Sequence, residues 1–112
     1  MILDRQRLAQ YVGSDAAFEA QFLALLLATV SDCMGALDPL TNQTYRSLHA
    51  AKPGLVVATT EKFAAQLSQV CDVLVEATTW PLPAPQVERL EDLRLQLQQL
   101  SLEIHQALAQ RT

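Results

Sequence analysis

A chain of 112 residues and 12.3 kDa has room for one domain of ordinary size, spanning residues 1–112, and little else. Half of it is apolar, 18% is charged, and three Gly and five Pro are spread thinly, which excludes the disordered and low-complexity classes. Eight basic against twelve acidic residues give a net charge of −4 with no Lys/Arg cluster, so nucleic acid is not an expected partner.

Twenty Leu, sixteen Ala and twelve Gln favour helix, and aromatic residues are few. An all-α chain is expected, and its elements follow from its punctuation. A short first helix runs from about Asp4 to Val12 and is stopped by Gly13. Ser14 or Asp15 is the N-cap of a second helix, whose stripe holds Phe18, Phe22, Leu25, Leu26, Thr29 and Cys33. Leu23, Leu27 and Val30 widen that stripe, so this helix is expected to be enclosed on several sides. Asp38-Pro39 ends it, and Thr41 or Asn42 caps a third helix holding Tyr45, Leu48, Ala51, Leu55 and Ala58.

Thr59-Thr60 breaks the run, and Phe63, Leu67, Val70, Leu74 and Ala77 form one face of a fourth helix. Leu55-Val56-Val57 has strand propensity, but without a second strand to pair with it is read as helix. Thr78 to Pro85 is a loop, and Pro85 opens a fifth helix repeating Leu90, Leu93, Leu97, Leu100, Ile104 and Ala107. Four long amphipathic helices on short connections bury their stripes against one another. The expected fold is an antiparallel four-helix bundle with a short additional N-terminal helix.

Catalytic signatures are missing: there is no glycine-rich phosphate loop, nucleophile elbow, metal-binding His motif or ATP site. The chain is therefore not expected to be an enzyme, and no metal or cofactor is expected. Cys33 and Cys71 read as buried free thiols in a reducing compartment. The longest apolar run, Phe22 to Val30, is too short to cross a bilayer, so a soluble cytoplasmic protein, not inserted in a membrane, is expected, and a monomer is expected besides. His105 reads as a plain polar position, and Leu95 and Leu102 lie off the main stripe of the last helix. These two leucines give some support to a dimerising or adaptor bundle.

His49 has a different neighbourhood. At about 100° per residue, His49, Lys52, Pro53 and Val56 share one sector of the third helix, away from Leu48, Ala51, Leu55 and Ala58. An imidazole projecting to solvent is a nucleophile near neutral pH, and a cation three residues on stabilises negative charge placed there.

With these residues the sequence resembles the histidine phosphotransfer (HPt) domains of bacterial multistep phosphorelays. The likeness runs through Leu3-Asp4, Leu8, Tyr11 to Asp15, Phe22 to Leu26, Leu48-His49-Ala50-Ala51-Lys52, and Phe63 with Leu67. It implies that His49 accepts a phosphoryl group, with Lys52 as its charge partner. Ala50, Pro53 and Val56 would be the rim that docks a receiver domain. The implied partners are a response-regulator receiver domain and a hybrid sensor kinase, with magnesium held only on the receiver. Pro53 stands where the family has glycine, Thr59-Thr60 replaces its Gly-Ala pair, and Cys71 replaces a polar residue. The proline ring favours an alternative: a degenerate bundle that binds a receiver or kinase without carrying phosphate.

Overall fold

The structure, a computed structural model, describes residues 1–13, 15–37, 42–76 and 82–110. Five helices make it up: α1 (Arg5–Val12), α2 (Ala16–Ala36), α3 (Asn42–Val56), α4 (Glu61–Glu76) and α5 (Ala84–Ala109). Each visible start has a local cause. The Asp4 carboxylate accepts the Gln6 and Arg7 N–H groups at the head of α1, and Asp15 accepts Phe18 N–H at the head of α2. Thr60 Oγ1 accepts Phe63 N–H, so the threonine pair is both a break and a cap. Pro83 is the N-cap of α5 and Pro85 lies in its first turn, where a missing N–H is harmless. Gly13, at φ 73°, ends α1 in a left-handed conformation suited to glycine. Ser14, Asp38-Pro39, Thr41, Ala77, the loop through Pro81 and the side chain of Asn42 lie outside the described residues.

The long helices pack in a ring, α2 on α3, α3 on α4, α4 on α5 and α5 back on α2, with α1 against α2. Neighbours run antiparallel. Thr44 near the start of α3 donates to the Ala36 carbonyl at the end of α2, and Gln96 in α5 donates to Gln66 in α4 at 2.6 Å. Arg5 reaches both Glu19 early in α2 and Gln110 just beyond α5. The core is leucine-rich, with Leu8, Leu23, Leu48, Leu55, Phe63, Leu67, Leu93 and Leu97 fully enclosed. That burial, at about 25 cal/mol per Å² of apolar surface, holds the ring together.

Several sequence expectations need correction. Phe18 and Leu25 of the expected stripe face solvent, whereas Leu26 and Cys33 are buried together with Leu23 and Val30. Because α2 is apolar nearly all round, its periodicity could not fix which side turns inward. α2 as a whole is 21 residues long, and by length and composition it alone among the described residues could cross a membrane, which the nine-residue run had hidden. α3 stops at Val56, so Ala58 is buried in the turn after it. Tyr45 is half-buried rather than a core residue. Leu55 and Val56 are helical as expected, and Thr59, just beyond the helix, forms an isolated antiparallel bridge with Leu3.

That bridge belongs to a clasp over one end of the bundle. The Asp4 N–H donates to the Ala58 carbonyl at 2.8 Å and Thr60 N–H to the Ile2 carbonyl at 3.0 Å. Behind it, the Glu103 carboxylate of α5 accepts Ile2 N–H at 2.9 Å and Leu3 N–H at 3.1 Å. Glu103 is buried, a position tolerable for a carboxylate only with donors aimed at it. Glu103→Ala should therefore cost about 2–4 kcal/mol by leaving the Ile2 and Leu3 N–H groups unpaired, and Glu103→Gln, which keeps one acceptor, about 1 kcal/mol. Urea unfolding with an unchanged m-value is the check.

Candidate functional site

α3 carries the residues singled out by the sequence, and its inner side decides where they stand. Leu48, Ala51 and Leu55 are buried, which turns His49, Ala50 and Pro53 outward, all three exposed. Lys52 and Val56 sit half-buried on the flank between. The helix continues through Pro53, which cannot donate to the His49 carbonyl. Because both residues are on the exposed side, water can take that carbonyl.

Among the described residues the imidazole has one aromatic neighbour. The rings of Tyr45 and His49 lie 5.5 Å apart between centroids at an interplanar angle of 24°, a stacked pair one helical turn apart. Stacking occupies a face of the imidazole and restrains its rotamer, while the residue stays exposed. Tyr45 was missed as a site residue because its spacing fits the core stripe as well. The signal that finds it is its position four residues before His49.

Lys52 is placed less simply than its spacing suggests. It forms no ion pair among the described residues, and its positive charge acts on the Cys71 thiol of α4. So the ammonium belongs to the α3–α4 seam as well as to the His49 flank. On the other flank, Ala50 and Ala51 with Ser47, Thr29 and Asp32 line a shallow depression between α3 and α2. Ala50 thus borders a concave surface, whereas Val56 lies on the side toward α4.

The two cysteines are free and buried. Desolvation first, then the Asp32 and Cys71 charges, push the Cys33 thiol from 9.0 up to about 11. Burial also raises Cys71, with Lys52 opposing the shift and Asp72 adding to it. Neither environment generates a reactive thiolate. Among the described residues, no group of three or more His, Cys, Asp or Glu is placed to hold a metal ion.

Compared with models of protein families, with curated proteins and with solved structures, the chain matches none. The functional reading therefore rests on the residues themselves.

The cysteines give a direct prediction. Cys33 binds its proton more tightly folded than unfolded, so stability is full below about pH 9 and falls as pH rises from there toward about 11. Native Cys33 should also resist alkylation at pH 8 and react readily in urea. Mass spectrometry after iodoacetamide treatment reads this directly, and fast native labelling would contradict it.

Proposed function

We propose that this chain is a phosphocarrier of the HPt type, which relays a phosphoryl group through His49 between aspartates of receiver domains. The observation that carries the reading is an exposed imidazole, restrained by Tyr45, on the outer side of a four-helix bundle. In the proposed step a ring-nitrogen lone pair forms a bond to phosphorus as the aspartyl O–P bond breaks, returning the carboxylate. The receiver supplies magnesium and the acidic pocket. This chain supplies a reachable nucleophile held in one orientation, and needs no ATP site.

Lys52 has the character of a field residue. Its half-buried ammonium stands one turn along from His49, and positive charge there favours the phosphorylated ring. Ala50, Pro53 and Val56 form the rim against which a receiver or the receiver-bearing part of a hybrid sensor kinase would dock. The buried, unpaired thiols fit a reducing cytoplasm.

A second reading has its own observation. Pro53 is exposed one helical turn beyond His49, and in this reading its ring takes up room that an incoming phosphoryl group would need. A bundle that docks a receiver without accepting phosphate would carry such a residue at no functional cost.

Incubation with a phosphorylated receiver separates the two. The carrier reading expects an acid-labile, alkali-stable label that His49→Gln removes with helicity unchanged. Pro53→Gly should speed transfer by about tenfold, or about 1.4 kcal/mol of barrier. Label surviving His49→Gln would end the assignment, and receiver binding with no transfer would select the second reading.

A further inference from the structure

α5 carries two stripes. One is the buried leucine row. The other runs Glu91, Leu95, Gln98, Leu102, His105 and Ala109, in steps of four, three, four, three and four residues. This second row has the spacing of a helix that meets another helix along its length. Its two leucines are open to solvent: Leu95 is 62% exposed and Leu102 is 52% exposed. Gln96 and Glu103 mark the flank of α5 that meets α4 and the N-terminal clasp. At about 100° per residue, Leu95 and Leu102 point straight away from the buried row, and Gln98 and His105 beside them lean toward the α2 side.

α2 continues the same surface. Thr29 and Asp32 mark its flank toward α3, so Ala20, Ala24, Leu27 and Ser31, again in steps of four, three and four, lie on the flank toward α5. Small side chains there permit close approach, and none of these four is charged.

We propose that the α2–α5 face is the interface of a homodimer in which α5 pairs antiparallel with α5 of a second copy about a two-fold axis at Gln98. The charge pattern selects this occupant. With Gln98 on the axis, each Leu95 lies beside the other copy's Leu102, and each Glu91 carboxylate beside the other copy's His105, a ring N–H donor. Gln98 meets its own copy, and an amide both donates and accepts. A parallel pair would instead set Glu91 against Glu91, and antiparallel helices also place opposite dipole ends together.

The size of the face is sufficient. A 21-residue helix spans about 31 Å at ~1.5 Å per residue, and the bundle is 21 Å wide. The outline of the face, about 650 Å², is comparable to the ~800 Å² per partner that stable specific interfaces bury. His49 stands on the far side of the bundle, so the inference is independent of the phosphocarrier reading. The sequence expectation of a monomer is the alternative that the test decides.

Sedimentation equilibrium tests it on the intact chain. A species of twice the chain mass is expected. Leu95→Glu with Leu102→Glu should return a monomer with unchanged helical circular dichroism, since both side chains are exposed. Mild oxidation of Gln98→Cys should yield a cross-linked pair. Glu88→Cys should not, because antiparallel pairing holds its two copies about 30 Å apart. A monomer at every concentration, a dimer that survives the double substitution, or cross-linking through Glu88→Cys would overturn the proposal.

Discussion

The burial of one side of α3 is the constraint on which the rest depends. Leu48, Ala51 and Leu55 are locked against α2 and α4, and each buried leucine is worth roughly 1.5–3 kcal/mol relative to exposure. A helix fixed on that side has no freedom to rotate. His49, at about 100° from Leu48, must then stand outside, with Tyr45 one turn before it and Pro53 one turn after. An interior proline normally costs on the order of 3 kcal/mol, and the enclosed leucines on its inner side offset the loss. The reactive-looking residue is thus a consequence of core packing.

The ends of the bundle obey a different rule, that of satisfying polar groups. Thr59 Oγ1 donates to the Leu55 carbonyl at 2.7 Å and Thr44 Oγ1 to the Ala36 carbonyl at 2.7 Å, so both buried threonines close helix ends. The Glu103 carboxylate does the same work for the N-terminal segment. The Thr59 and Glu103 contacts, with the backbone pairs beside them, tie Ile2 to Asp4, the α3–α4 turn and the last part of α5 into one unit, which fixes where α3 ends.

Much of this was legible in the sequence wherever periodicity and capping agreed. The Phe63 to Leu74 and Leu90 to Ala107 rows are buried as their spacing requires, and Asp15 caps α2 as its type suggests. The sidedness of His49 followed from the same geometry. What escaped was of two kinds. α2 has apolar residues on every side, so no pattern in it reveals that Leu25 ends 67% exposed. Long-range polar pairings leave no periodic trace either. Nothing near Glu103 announces that its partners are Ile2 and Leu3, a hundred positions away, nor that Thr59 pairs with Leu3. Tyr45 against His49 lay between these cases: the spacing was visible, but the core reading competed for the same residue.

The central claim, that His49 is an accessible phosphoryl acceptor, is tested most directly by phosphorus NMR of the chain mixed with an excess of phosphorylated receiver domain. A new phosphorus resonance coupled to the ring protons of His49 is the predicted result. Its absence while the receiver's aspartyl phosphate decays only to inorganic phosphate, or a coupling to His105 instead, would contradict it.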